Sequence, residues 1–252
     1  MGRHELTDRE WGVVGPLLDE HCKRHGGSSD ANRLFINTVL WRIRTGVPWR
    51  DLPDRLGKWN SRAKRFARWA EKKVWYRLFK AIQEPDWEWV LVDSTSVKAH
   101  PQAAGQKKSN VVSAALGRSK GGLTTKIHAA VDALGNPVHV HLSGGQEADC
   151  KHFDKIVDAL PAEVQAIVAD KGYDTDAVVE RIEQHQAEVV VPSKSNRKEE
   201  REIDENLYED RNKVERFFLK IKQNRAVATR YDKKAACFLA VIYLASILCW
   251  LK

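Results

Sequence analysis

Three acidic residues with suggestive surroundings are spread along the second part of the sequence. Asp93 ends the β-rich run WEWVLVD, and Asp170 ends a second apolar run, VQAIVAD. Glu215 lies among basic residues in YEDRNKVERFFLKIK, whose apolar residues recur every three or four positions, as in an amphipathic helix. In open α/β sheets ligands bind beyond strand ends, so neighbouring strands would bring the two aspartates side by side. Three clustered carboxylates favour a hard divalent cation such as Mg²⁺, which takes oxygen ligands.

The glutamate shares its predicted helix stripe with three residues that suit a nucleic-acid partner. Tyr208, Arg211 and Lys222 are spaced so that they can lie on the same face as Glu215. Metal-bound carboxylates and phosphate-binding cations belong together in phosphodiester chemistry, where two ions about 4 Å apart assist the displacement. The alternative is a solvated helix with an ordinary pair of Arg211 and Glu215, worth a few tenths of a kcal/mol.

Each of the three acids also has a structural interpretation when taken alone. Asp93 could be a strand-end cap, and Asp170 could cap the helix after Gly172. Their order along the chain, together with Glu215, favours catalysis. Turn and helix-cap roles are expected instead for three other acids: Asp132, Asp174 and Asp176.

The elements that must position these carboxylates change character near Pro85. Residues 1–85 read as a helical, basic domain and residues 86–252 as a mixed α/β domain, because proline stops a helix at the boundary. The second part reads as strand, hairpin, helix, strand, helix, strand and helix. The expected bounds are 87–93, 123–131, 138–142, 149–160, 164–170, 175–186, 189–192 and 208–222.

Two helices joined by a compact turn are predicted in the first part. The first covers 34–44, is capped by Asp30 or Asn32 and ends at Gly46. The second covers about 60–83. This arrangement is compatible with a DNA-binding domain of the helix-turn-helix type.

Positive charge is concentrated in the same region. Residues 31–80 hold 14 Lys and Arg against three Asp and Glu, a net charge of +11, whereas the whole chain carries +8. Such focusing indicates a polyanionic partner, with nucleic acid ahead of a membrane surface. Eight of the nine tryptophans precede residue 90, where core packing is favoured over base stacking for most of them. The side chains expected to contact phosphates here are Arg62, Arg65, Arg68 and Lys72.

The cysteine pattern indicates a reduced, cytoplasmic protein, because the four cysteines have no CxxC spacing and no signal segment opens the chain. His21, Cys22 and His25 lack a fourth zinc ligand at a standard spacing, so a polar turn is favoured. His139 and His141 point to one face of a strand and are expected to be structural.

The C-terminal run from Ala235 to Leu251 is apolar enough to raise the question of a membrane. Its 17 residues are at the lower limit for a span. A buried core helix is favoured over a tail anchor, since its small residues suit close packing. The charged run from Lys194 to Asn206 is expected to form a mobile loop.

Several motifs, in order and at full spacing, resemble those of a known family. These are PWRDLP (48–53), DSTSVKAH (93–100), GRSKGGLTTKIH (117–128), DKGYD (170–174) and the Tyr-Arg-Glu-Lys series that contains Glu215. The chain is similar, nearly from end to end, to bacterial insertion-sequence transposases of the DDE type, in the insertion-sequence-five branch of the four-like group.

The resemblance implies a ribonuclease-H-like mixed sheet flanked by helices, after a small helical DNA-binding domain. It implies Asp93, Asp170 and Glu215 as catalytic residues and ligands of two Mg²⁺ ions, for which Mn²⁺ can substitute. The expected activity is cleavage and strand transfer at terminal inverted repeats and target DNA, by a homodimer on DNA and without a membrane. The matching motif implies further DNA contacts by Arg118, Lys120 and Lys126.

Two departures from the family pattern limit what carries over. Only 44 residues separate Asp170 from Glu215, so the long insertion of some larger relatives is absent, and what it contributes to holding a DNA hairpin does not carry over. The loop 102–113 matches loosely, although Lys107 and Lys108 suit phosphates. Two other functions stay open: a DNA-binding regulator that does not cut, and a processing nuclease that hydrolyses without strand transfer.

Overall fold

The chain forms two compact units in a computed structural model that describes residues 4–22, 27–104 and 115–252. The first unit consists of residues 1–83, 99–106 and 221–252, and the second of residues 84–98 and 107–220. The C-terminal segment therefore groups with the helical N-terminal part, which a single division at residue 85 does not anticipate. The last helix of the chain packs against helices from the N-terminal part, and that packing explains the grouping.

The first unit is helical, and aromatic side chains fill part of its core. Phe35, Phe66, Trp69 and Trp75 are buried, and their ring centroids lie 5.0–5.9 Å apart in neighbouring pairs. These two tryptophans are therefore core anchors, as expected. The helices are α1 (Asp8–Cys22), α2 (Ser29–Thr45), α3 (Trp59–Glu71), α4 (Val74–Ala81), α9 (Arg225–Ala228) and α10 (Ala235–Trp250), and a short strand, β7, covers Thr229–Arg230.

Helix α2 begins earlier than predicted and ends where predicted. Its N-cap is Ser28, whose hydroxyl accepts from the Ala31 amide, so the expected cap at Asp30 or Asn32 is wrong. Gly46 ends the helix with φ 71°, a left-handed conformation that glycine adopts without strain.

The predicted helix over 60–83 is two helices, α3 and α4. They are separated at Lys72 and Lys73, and Lys73 has φ 56°, which a continuous α-helix cannot contain. The turn between α2 and α3 contains two short 3₁₀ segments, Trp49–Asp51 and Asp54–Leu56.

Helix α10 is a core helix. Ten of its residues are buried, among them Phe238 and Leu244, and it packs against α3 and α4. Within the described ranges, no helix combines the length and the apolar character needed to cross a membrane. The burial explains the hydrophobicity of the run from Ala235 to Leu251.

The second unit is built on a mixed sheet flanked by helices. Its strands are β1 (Trp89–Ala99), β2 (Gly117–Ser119), β3 (Gly122–Val131), β4 (Pro137–Gly144), β5 (Ala166–Ala169) and β6 (Glu188–Val190). The central strand order is β2-β3-β1-β5-β6, and β4 also pairs with β3. The pairs β1–β3, β2–β3 and β3–β4 are antiparallel, whereas β1–β5 and β5–β6 are parallel. This arrangement confirms the predicted fold class.

Strand β1 is longer than the sequence indicates. The expectation that the strand ends at Asp93 is wrong, because the antiparallel β1–β3 ladder continues past it to the pair Lys98 and Thr124. Polar residues after Asp93 hid the continuation. The parallel partner β5 does end close by, at Ala169, opposite Val92.

Two helices predicted in the second part are divided or shortened. The helices here are α5 (Phe153–Val157), α6 (Asp176–Gln184), α7 (Glu205–Glu209) and α8 (Asn212–Lys222). A turn at Asp210 and Arg211 separates α7 from α8, so Tyr208 and Glu215 do not share one continuous helix. The predicted helix over 149–160 is instead a 3₁₀ turn, Asp149–His152, followed by the short α5.

Candidate active site

Asp93 and Asp170 meet at the edge of the sheet where β5 ends. The parallel register pairs Val92 with Ala169, so the next residue of each segment is one of the two aspartates. Asp93 is largely buried, with a side chain 17% exposed. Asp170 caps the 3₁₀ turn that follows, accepting from the Gly172 amide at 2.8 Å. This cap uses part of the acceptor capacity of a carboxylate, so a cap and a ligand role are compatible.

Glu215 joins the site through Arg211. The Arg211 guanidinium donates to Asp93 Oδ2 at 3.2 Å and also donates to Glu215 Oε1. One arginine thus bridges carboxylates from the middle of β1 and the first turn of α8. The structural alternative, an Arg211–Glu215 pair, is present in the molecule, but the same guanidinium also reaches Asp93.

The electrostatics of the site are dominated by negative charge held partly out of water. Burial raises the pKa of Asp93 to about 6, and the charges of Asp170 and Glu215 act in the same direction, against the hydrogen bond from the Ser94 amide and the charge of Arg211. Burial disfavours the charge on Arg211, but Asp93 and Glu215 outweigh it and raise the pKa of that guanidinium. A cation therefore stabilises the ionised form of this site.

A second polar network lies directly beside Asp93, and it was not predicted from the sequence. The Ser94 hydroxyl donates to Asp149 Oδ1 at 2.7 Å, and Lys126 Nζ donates to the same oxygen at 2.9 Å. Lys126 Nζ also donates to the Glu147 carbonyl. The predicted DNA contact Lys126 is thus engaged within the fold. The available signal for Asp149 was its place shortly after β4.

The other predicted DNA contacts of the second part differ in their surroundings. The Tyr208 ring centroid lies 6.0 Å from the Arg211 guanidinium carbon, so these two residues adjoin. Lys222 is half-buried at the C-terminus of α8, where burial lowers the pKa of its amine. Arg118 and Lys120 are exposed in and after β2.

The four basic residues predicted on the second helix fall into two groups. The first group serves the fold of its unit: Arg62 donates to the Leu56 carbonyl, and the Arg65 guanidinium packs on the two aromatic rings of Phe35 and Trp69. By contrast, Arg68 and Lys72 are exposed at the end of α3.

Some residues discussed from the sequence lie outside the described part of the chain. They are Lys107, Lys108, His25 and the side chain of Cys22.

Three histidines that are distant in sequence come together next to the Asp149 network. His128 on β3 lies directly opposite His141 on β4, and His152 comes from the 3₁₀ turn before α5. One nitrogen from each ring lies within 4.8 Å of the others. Burial lowers the pKa of His128 to about 3, with His152 acting in the same direction, and burial also lowers the pKa of His141. No spacing along the chain signals this cluster, because the β3–β4 pairing creates it.

Comparison with known families accounts for the chain almost from end to end. We call the part of the sheet where Asp93, Asp170 and Glu215 come together the acidic edge. It falls within residues 88–250, which match the family profile described as "Transposase DDE domain". Residues 6–79 match the profile "Putative transposase of IS4/5 family". The chain belongs to the DDE transposase family, in its IS4/5 group.

Individual relatives are similar to parts of the chain. A "Putative transposase for insertion sequence element IS6501" from Brucella ovis is 32% identical over 131 residues, which is 52% of this chain and 100% of that protein. "Uncharacterized protein y4sN" from Sinorhizobium fredii is 37% identical over 105 residues, 41% of this chain and 84% of that protein. "Insertion element IS402 uncharacterized 16.2 kDa protein" from Burkholderia cepacia is 30% identical over 120 residues, covering 42% of this chain and 80% of its own length. No solved structure gave a significant match.

Proposed function

We propose that this transposase binds the terminal inverted repeats of its insertion sequence, cleaves the DNA there and joins the ends to target DNA. The observation that supports this most directly is the convergence of Asp93, Asp170 and Glu215, with Arg211 between two of them. In the proposal these three carboxylates are the catalytic metal ligands.

The donor set fits a hard divalent cation. All three side chains offer carboxylate oxygens, the ligands that Mg²⁺ prefers, and Mn²⁺ accepts the same set. Burial, followed by the charges of Asp170 and Glu215, raises the pKa of Asp93, so a bound cation would stabilise the ionised carboxylate. When bound, two such ions would supply activation of the attacking water or hydroxyl and stabilisation of the leaving oxygen of a phosphodiester.

The chain's own residues would hold the DNA around this centre. Arg211 is a planar donor that can leave the carboxylates and bind a phosphate through two hydrogen bonds. Tyr208 adjoins it and can pack against a sugar or a displaced base. Lys222, Arg118 and Lys120 supply further positive charge for the strand.

The helical unit would supply most of the sequence-independent affinity. Arg68 on α3 and Lys72 directly after that helix are exposed to solvent, and α3 follows the turn after α2 as in a helix-turn-helix reader. We place the reaction in the bacterial cytoplasm, on the nucleoid, because that is where its DNA substrate lies. Since two element ends must be joined, we propose a homodimer on DNA.

The proposed reaction is tested with labelled DNA that carries the ends of the host element. Purified protein and Mg²⁺ should yield nicked ends and then products joined to a target plasmid, and chelation should abolish both. Binding of the ends without cleavage would support the non-cutting regulator instead. Hydrolysis without joined products would favour a processing nuclease.

A further inference from the structure

The histidine cluster of β3, β4 and the following 3₁₀ turn is separate from the triad of Asp93, Asp170 and Glu215. The rings of His128 and His141 stack with centroids 4.6 Å apart, and the His152 ring lies 4.7 Å from the first and 5.4 Å from the second. His128 and His152 are buried, and His141 is partly buried. The proposed DNA chemistry uses none of these rings.

The ring nitrogens of the cluster are poorly satisfied by the protein. His128 Nε2 pairs with Ser143 Oγ at 2.7 Å, and His152 Nε2 pairs with Glu147 Oε2 at 3.0 Å. Among the residues that the structure describes, no hydrogen-bond partner reaches the buried Nδ1 atoms of His128 and His152 or either ring nitrogen of His141. Buried polar atoms left in this state are costly and call for a bound group.

The surroundings supply negative charge and hydrogen bonds that orient the rings. Asp149 Oδ1 lies 3.8 Å from His128 Nδ1, and the Glu147 carboxylate orients His152. Because Glu147 holds Nε2 of His152, Nδ1 of that ring is left to ligate, and a carboxylate on the far nitrogen of a ligating histidine is the usual outer arrangement of a metal site. Lys126 partly offsets this negative charge, since its amine binds Asp149.

We propose that His128, His141 and His152 form a binding site for a late first-row divalent transition-metal ion of the Zn²⁺ or Co²⁺ type. Imidazole selects such ions over Mg²⁺, and three histidines with one further position are a common ligand set. Because lone pairs lie in the ring plane, two stacked rings cannot both face one ion, and one must turn. His141 can do so, since no hydrogen bond within the described residues holds its ring.

Such an ion would affect the proposed active site indirectly, through the residues that support Asp93. It would tie β3, β4 and the 3₁₀ turn together, and that turn carries Asp149, which holds Ser94 next to Asp93. The ion would therefore stabilise the acidic edge without touching DNA.

The test begins by removing the acidic site. The full-length Asp93→Asn, Glu215→Gln variant is titrated with Co²⁺ and followed by visible absorption. We expect one Co²⁺ per chain with ligand-field bands, displaced by Zn²⁺ and retained in excess Mg²⁺. Failure of the folded variant to bind millimolar Co²⁺ would overturn the proposal. A thiolate-to-cobalt band would also overturn it, because cysteines would then be the ligands.

Single substitutions in that background locate the ion. His141→Ala and His152→Ala should each weaken Co²⁺ binding at least about tenfold, the lower end of the effect of losing even an outer partner. His139→Ala is the matched control, on the same strand and face but outside the cluster. Equal losses in all three variants would contradict the assignment. Because the readout is Co²⁺ binding and not cleavage, neither outcome bears on the proposed DNA chemistry.

Discussion

Asp93, which is largely buried, and Asp174, which is fully buried, are carboxylates of the same compact unit with opposite surroundings. Asp174 is fully buried, yet Arg197 and Arg201 bind its Oδ1 at 3.0 and 3.4 Å, and the Lys194 amide donates to Oδ2 at 2.8 Å. Burial would raise the pKa of Asp174, but these partners outweigh burial and lower it. For Asp93 the balance is reversed, and the pKa is raised to about 6.

The contrast shows how a structural carboxylate differs from one that can take a ligand. The acceptor sites of Asp174 are filled by partners that also tie down the charged run after residue 194. Asp93 is bridged by an arginine and has two other carboxylates nearby. A bound cation adds little stabilisation to a carboxylate whose charge the fold already compensates. For Asp93 a bound cation would stabilise the ionised form substantially.

The largest expected effect comes from removing a charge of the acidic edge. Asp93→Asn, Asp170→Asn and Glu215→Gln should each slow cleavage at least about a thousandfold, since losing about 4 kcal/mol of transition-state stabilisation has that effect. Cleavage is followed on labelled ends, with folding checked by circular dichroism and end binding by mobility shift. Asp176→Asn, an exposed acid of α6, is the control and should cleave normally. Near-normal nicking by any of the three would remove that residue from the triad.

The second-largest effect should distinguish the role of Arg211, the arginine between Asp93 and Glu215, from the role of the carboxylates. Arg211→Ala and Lys222→Ala should slow cleavage by roughly ten- to a thousandfold, as for losing one charge-assisted contact made best in the transition state. Mg²⁺ binding, measured by calorimetry, should persist. Arg216→Ala, exposed on the same helix, is the matched control and should stay within about twofold. Loss of Mg²⁺ together with cleavage would show that these residues serve the metal site and not the DNA.

Replacing Asp174, whose charge is compensated by Arg197 and Arg201, should lower the stability of the fold without changing the rate of cleavage. Asp174→Asn should lower the free energy of unfolding by about 2–4 kcal/mol, because it leaves two arginines facing a neutral amide. Asp176→Asn, which breaks an exposed pair with Arg197, should cost less than about 1 kcal/mol. Urea unfolding measures both, and equal losses would remove the distinction between the two sites.

Acid provides an independent check on Asp174. A group whose pKa is lowered in the folded state contributes stability above its unfolded pKa and loses it as the pH falls through the folded value. The stability difference between the wild type and Asp174→Asn should therefore shrink below about pH 4. A difference that grows in acid would contradict the lowered pKa.

The smallest effect concerns basic residues, which should likewise divide into those that contact DNA and those that stabilise the fold. Replacing the exposed Arg68 and Lys72 by Ala should flatten the slope of log K against log salt for end binding by about 1.8, or about 0.9 per phosphate contact. Arg65→Ala should mainly destabilise the fold, since its guanidinium packs on two aromatic rings. Arg181→Ala, whose side chain pairs with Asp158, is the control for the slope. An unchanged slope in the double variant would show that the DNA lies elsewhere.

Much of the fold could be predicted from local patterns in the sequence. Alternation and turn residues predicted the β3–β4 hairpin, and apolar runs predicted β5 and the core helix α10. The structure also brings together the acids that were selected by their order along the chain. The hairpin, the strand and the helix depend on short windows of sequence, which is why they could be recognised.

Two kinds of feature could not be predicted: those that depend on partners distant in sequence, and helix breaks that no Gly or Pro marks. Strand β1 continues past Asp93 because β3 pairs with it, and the partners of Asp174 come from a charged run that reads as a solvated loop. The breaks at Lys73 and Arg211 interrupt helical periodicity without a Gly or Pro to signal them. The grouping of residues 221–252 with the N-terminal helices required the packing of α10.

The separate origins of the three carboxylates determine when they can come together during translation. A ribosome makes Asp93 first and Glu215 last, with the whole of β3, β4 and β5 in between. The parallel pairing of β1 with β5 must wait until Ala166–Ala169 has emerged, and such non-local pairings form slowly because a long loop has to close. The nascent chain can therefore build its first helices well before Asp93, Asp170 and Glu215 can come together, so the acidic edge is completed late in synthesis.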